Sequence, residues 1–162
     1  MTSPGNATND ATSSDDDRII ELANRNMTVA ELRERVQAVA PNIFYLKEVD
    51  GQTVAGARVT LGRISELIGD QKDFAVVVDL SDTPSRPASD YRELMEQWAK
   101  SQPPFHAAYV LPPVGAITRM ALRFVALRVM KVHDASTSSY HDDGDSAVAH
   151  CRSLLASAQQ KA

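Results

Sequence analysis

Cysteine is nearly absent, charge of positive sign is in deficit, and no long apolar run occurs; each shortage removes a class of protein. The single thiol, Cys151, excludes an internal disulfide, and its place in a helical pattern marks it as a small buried apolar group rather than a nucleophile. No basic segment followed by an apolar stretch opens the chain, and no charge-free apolar run is long enough to span a bilayer. A cytoplasmic location is the expectation. Lys and Arg number 17 against 21 Asp and Glu, a net charge of -4, and no basic arm or aromatic-basic ladder offsets it, which argues against a nucleic-acid binder. What is present suits one soluble domain: 162 residues, 43% of them hydrophobic, can bury a core of their own.

The organising stretch is FAVVVDL at 74–80. Its unbroken apolar run, with three β-branched valines, is too short for an ordinary helix and predicts a central strand covered on both faces. Before it, residues 1–17 are mostly Ser, Thr, Asn and Asp with little to bury, so a disordered acidic tail is expected. An N-terminal extension over 18–41 follows. Within it, Thr28 and Glu31 form a capping-box pattern ahead of Val29, Leu32, Val36 and Val39, predicting an amphipathic helix over 28–40 that Pro41 ends. Residues 43–49 read as a strand, and Asp50-Gly51 as a tight turn returning through a second arm over 52–59, with Gly56 at a bulge. A helix capped by Thr60 then presents Leu61, Ile64, Leu67 and Ile68 on one face.

Beyond the valine run, Tyr91, Leu94, Met95 and Trp98 recur at i, i+3, i+4 and i+7, the plainest helix of the chain. FHAAYVL at 105–111 is the next buried strand, and Pro112-Pro113 starts a helix over about 114–131 whose narrow polar strip, containing Arg119 and Arg123, predicts that it is largely buried. Residues 132–140 are a candidate edge strand, and a last helix carries Val148, Cys151, Leu154 and Leu155 on one side, fraying beyond Ser157. From Ile43 the order is ββαβαβαβα: an α/β fold with a mixed five-stranded sheet and about four helices, plus an extra N-terminal helix, the main domain spanning 42–157.

That order, with VVVDLSD leading to a Pro-containing turn, then YRELMEQW, AAYVLPP and ITRMALRFVALR, resembles the STAS family, in particular its SpoIIAA-like branch. The resemblance implies a non-enzymatic regulatory domain without a cofactor, whose partner is a protein such as an anti-sigma factor or a kinase-like regulator. Some relatives hold a small lipid-like ligand instead. Phosphorylated members carry an Asp-Ser-Ser-Gly type motif at the start of the helix after this strand. Here the matching region reads Arg86-Pro87-Ala88-Ser89-Asp90, which leaves Ser89 as the candidate phosphorylation site and, alternatively, as a helix cap.

The edge after Leu80 is the candidate partner surface: Asp79, Ser81, Asp82, Thr83, Ser85, Arg86, Ser89 and Asp90. The same residue types are also what any strand-to-helix turn selects, and Asp79 suits the accepting of turn amides. Arg119 and Arg123, one turn apart, are candidates for an anion or lipid headgroup, or for covering the helix edge with their stems. His133, His141, His150, Asp134, Asp142 and Asp143 match no metal-ligand spacing, so no metal is expected, and no serine or cysteine sits in a nucleophile elbow.

Overall fold

A computed structural model describes residues 14–85 and 87–161. The valine run is the strand Ala75–Asp79, buried at every position and central in the sheet. In chain order the elements are β1 (Ile19–Glu21), β2 (Asn26–Thr28), α1 (Val29–Glu34), β3 (Val36–Ala40), β4 (Ile43–Lys47), α2 (Val54–Ile68), β5 (Ala75–Asp79), α3 (Ser89–Ser101), β6 (His106–Val110), α4 (Ala116–Met130), β7 (Thr137–His141) and α5 (Gly144–Gln160). The five-stranded sheet runs β3-β4-β5-β6-β7. Its first pair is antiparallel and the other three are parallel, so the mixed α/β sheet expected from the element order is present.

Alternation along the strands splits the core. On one face Phe44, Leu46, Val76, Val78, Ala107 and Tyr109 pack beneath α2, α3 and α4. On the other, Ile43, Ala75, Val77, Ala108 and Val110 meet Ala147 and Cys151 of α5. Burial pushes the Cys151 thiol up to about 11, the signature of an inert apolar group. A third cluster, Ile20, Leu22, Met27, Val29, Leu32 and Val49, fastens the β1–β2 hairpin and α1 onto the loop that follows β4.

Three expectations are corrected. The capping box forms as read, with Thr28 and Glu31 bonded reciprocally, but the helix stops at Glu34 and the next residues are β3. Part of the supposed N-terminal extension is therefore in the sheet. The edge of β4 needs a partner for its backbone groups, and Val36 to Ala40 supply it across a Pro41-Asn42 turn, with Val36 opposite Leu46 and Ala38 opposite Phe44. Second, residues 52–59 do not return as a strand. Thr53 caps α2 by accepting from the Gly56 amide, and Gly56 marks a close approach, since a Cβ there would meet Leu22 at 2.9 Å. Gly51 does take positive φ, +76°, in the loop that leads into that helix.

Third, α4 is not largely buried. Leu122, Ala126, Val129 and Met130 face the sheet, while Ile117, Met120, Phe124 and Leu127 are 86%, 71%, 67% and 44% exposed. A helix in an outer layer reaches the sheet with one face only, and no described element covers the other. The tail expected through Asp17 lies outside the described residues as far as residue 13, and Asp15–Asp17 form a single 3-10 turn. At the other end, α5 continues past Ser157 to Gln160.

Phe74 joins the layers: its ring is 6.2 Å from Phe44 and stacks 5.3 Å from Phe105, which Trp98 meets edge-on. Phe74→Ala is expected to lower unfolding free energy by about 3–5 kcal/mol in urea denaturation, because this junction cannot collapse around the space left.

Candidate functional site

The alternation that buries Phe44 and Leu46 carries one step past the end of β4 and turns Glu48 to the same face. The Glu48 amide continues the ladder to Asp79 O at 3.0 Å, and its side chain is enclosed at 3% exposure. One carboxyl oxygen accepts from the Val49 amide and from Gln52 Nε2, each at 2.9 Å. The other accepts from the hydroxyl of Tyr91, which the first turn of α3 brings to it. Burial raises the Glu48 carboxyl above its usual range against the pull of these bonds, and burial together with Glu48 raises the Tyr91 phenol.

This carboxyl–phenol pair floors a cavity of about 420 Å³ at the carboxyl edge of the sheet. Its walls are the loop after β4, Leu80, Thr83, Ser85, Pro87 and Ala88 from the segment after β5, the β1–β2 turn at Ala23 and Asn24, and Leu122 from α4. The loop and the hairpin turn fit closely: Ala23 N donates to Gly51 O at 2.9 Å, and a Cβ on Gly51 would come within 2.8 Å of Asn24. Asp50 also lines the cavity, and its Oδ1 is shielded without a hydrogen-bond partner among the described residues. The result is a mostly apolar pocket with a few polar groups, the chemistry of a binding site.

The residues expected along this edge are divided between its two sides. Thr83 and Ser85 line the cavity; Thr83 is buried and donates to Leu80 O at 2.9 Å, holding the bend. Asp79 lies on the opposite face, where it accepts from the Ser81 amide at 2.9 Å and from the Tyr45 hydroxyl. Burial alone would raise its carboxyl, but Ser81, Tyr45 and the nearby Lys47 outweigh burial and leave it below the usual range. Asp82 pairs with Lys47 at 3.2 Å. Ser89 and Asp90 are exposed at the start of α3, whose cap position is Ala88, so Ser89 does not cap the helix. Arg86 lies outside the described residues.

Neither arginine singled out on α4 reaches a cavity beneath it. Arg119 pairs with Asp142, and the Arg123 guanidinium rests 5.2 Å from the centre of the Tyr140 ring. The core void lined by Leu61, Trp98, Tyr109 and Val129, beneath α2, α3 and the end of α4, holds about 10 Å³, room for one water at most. Of the His and Asp residues of the chain's last third, His141 and His150 meet, with ring centres 5.1 Å apart, and the others lie elsewhere or in other roles. His133 bonds to the carbonyls of Ala99 and Gln102, Asp143 caps α5, and no group of three His, Cys, Asp or Glu fit to hold a metal occurs among the described residues. His106 instead joins His141 and His150 around Ser139, whose hydroxyl is 2.8 Å from Nε2 of both His106 and His141. Burial first, then its imidazole neighbours, lowers His106 to about 4.

Glu48, Gln52 and Tyr91 were not among the expected site residues. The signal for Glu48 is present in Phe44-Tyr45-Leu46-Lys47-Glu48, where the period of two places the acid on the apolar side. Tyr91, 43 positions away, has no such signal linking it to Glu48. No protein-family model, curated protein or solved structure matches the chain.

Two pH effects of opposite sign follow. Glu48 binds its proton more tightly when folded, so the stability it contributes is present at acid pH and is lost as pH rises through the ordinary carboxylate range and past it. Glu48→Gln, whose amide can donate to the Tyr91 oxygen, is expected to gain on the native chain in urea midpoint as pH rises from 4 to 8. His106 binds its proton less tightly when folded, so stability falls as pH drops from 6.5 towards about 4. His106→Asn is expected to flatten that acid limb, which amounts to about 2–3 kcal/mol, in urea titrations across the same window.

Proposed function

We propose that the chain is a non-enzymatic, STAS-like regulatory module that engages a protein partner at the carboxyl edge of its sheet. The observation that carries this reading is the cavity at that edge, placed beside an outward-facing bend in which Asp82, Pro84, Ser85 and Ala88 are exposed. A partner side chain of apolar character fits the pocket, and the exposed acids and hydroxyls around it supply the polar rim that such contacts use. Glu48, Tyr91, Gln52 and Thr83 are engaged in internal bonds, an arrangement suited to shaping a pocket rather than to acid–base chemistry.

The element order ββαβαβαβα around VVVDL supports the STAS likeness, with an anti-sigma factor or a kinase-like regulator as the kind of partner it implies. Ser89 is the candidate switch. It is exposed on the first turn of α3, where a phosphate would add about two negative charges beside Asp90 and repel an acidic partner surface. The second reading, a small-ligand sensor, draws on the same cavity, whose size lies in the range for small molecules. It locates the ligand in that edge cavity rather than at Arg119 or Arg123, which pair with Asp142 and rest on Tyr140.

The test is affinity capture of the full chain from its own cells with Asp82→Lys, Ser89→Glu and Ala88→Trp, the last of which plugs the cavity mouth. A recovered partner is expected to fall about tenfold or more with Ala88→Trp and with at least one charge variant. Unchanged recovery for all three removes this edge from the account. Native mass spectrometry separates the second reading: a bound small molecule displaced by Ala88→Trp, with no protein partner lost, establishes the sensor instead.

A further inference from the structure

The outward face of α4 is a surface of a different kind from the carboxyl edge. Ile117, Met120, Phe124 and Leu127 follow one another at spacings of three, four and three, and they project away from the core that Leu122, Ala126 and Val129 occupy. At 3.6 residues per turn these four positions fall within an arc of roughly 80°. That is narrower than the apolar face by which a helix lies on a membrane or a globular core, and it matches the two-heptad seam of a helix paired with another helix.

Charge identifies the occupant further. No Asp or Glu occurs from Gln97 to His133, while Lys100, Arg119, Arg123, Arg128 and Lys131 do, in a chain whose net charge is -4. Arg123 and Arg128 border the seam, and Lys131 takes its next repeat position. Arg119 and Arg128 lean on Asp142 and Glu96, yet Arg128 remains 68% exposed and Asp142 81% exposed, and such surface pairs are weak enough to exchange for a partner's acids. A second copy is disfavoured by the same charges. Antiparallel pairing sets Arg123 against its own counterpart, and parallel pairing sets Arg123 against Arg128.

We infer that α4 is a docking site for an amphipathic helix of another protein, with apolar residues along its seam and Asp or Glu on both margins. The interface buries Phe124 and Met120 at its centre and matches Arg123 and Arg128 with acids at its sides.

The probe is a fluorescein-labelled helical peptide of about three heptads, Leu at the seam positions and Glu on the margins, compared with its Lys-margined counterpart. Fluorescence anisotropy with the full chain is expected to show the Glu peptide binding about tenfold tighter or more. Phe124→Ser is expected to weaken it by at least about tenfold, and Arg123→Glu with Arg128→Glu to reverse the preference. All three positions are exposed, so circular dichroism should be unchanged. Binding of neither peptide, or equal binding of both, overturns the inference. Phe124-dependent sedimentation with phosphatidylglycerol vesicles, in place of peptide binding, assigns the face to lipid. A Phe124-dependent dimer in analytical ultracentrifugation assigns it to a second copy. Variants at Asp82 and Ala88 leave the outward face of α4 unaltered, so failure at the carboxyl edge and failure here are read separately.

Discussion

Burial of β5 on both faces is the constraint from which the rest of the architecture follows. Val76 and Val78 point into one core and Ala75 and Val77 into the other, so helices must cover both sides of the sheet. A strand so enclosed can be joined to parallel neighbours only by crossovers, and α2 and α3 are those connections. The faces of the sheet are thereby taken up with packing. Polar loops collect where the strands end, and the carboxyl edge becomes the place where Glu48, Asp50 and the bend after Leu80 meet.

Two acids at that edge show how the pleat decides chemistry. Glu48 and Asp79 lie at the ends of adjacent strands, bonded through the Glu48 amide, yet their side chains leave opposite faces. Asp79 meets the Ser81 amide, a hydroxyl and the Lys47 ammonium, and its carboxyl is held low. Glu48 meets a phenol, an amide side chain and apolar walls, with no cation bonded to it among the described residues, and its carboxyl is held high. The same residue class thus serves as a turn anchor whose charge is favoured on one side and as the floor of a pocket whose burial disfavours charge on the other.

Helix α4 departs from economical burial. A sequence of Ile, Met, Leu, Phe and Val with only a narrow polar strip has more apolar surface than one contact with a sheet can remove from water. The surplus, Ile117, Met120, Phe124 and Leu127, faces outward among arginines. Exposed apolar stripes of this kind oppose solubility unless they serve association, and the basic margins supply the specificity that apolar contact alone lacks.

The local sequence determined what local physics controls. The valine run had to be an interior strand, Thr28 and Glu31 had to start a helix, Gly51 took the positive φ that its position requires, and single helices between strands required parallel pairing. Tertiary structure alone decided which segment pairs with β4, since Val36 to Ala40 and residues 52–59 are both short enough for either state and the open strand edge selects the one that reaches it. It also decided that Tyr91 closes over Glu48 from 43 positions away and that half of an apolar helix stays in water. Periodicity encodes which residues share a face; whether anything covers that face depends on layers assembled from distant parts of the chain.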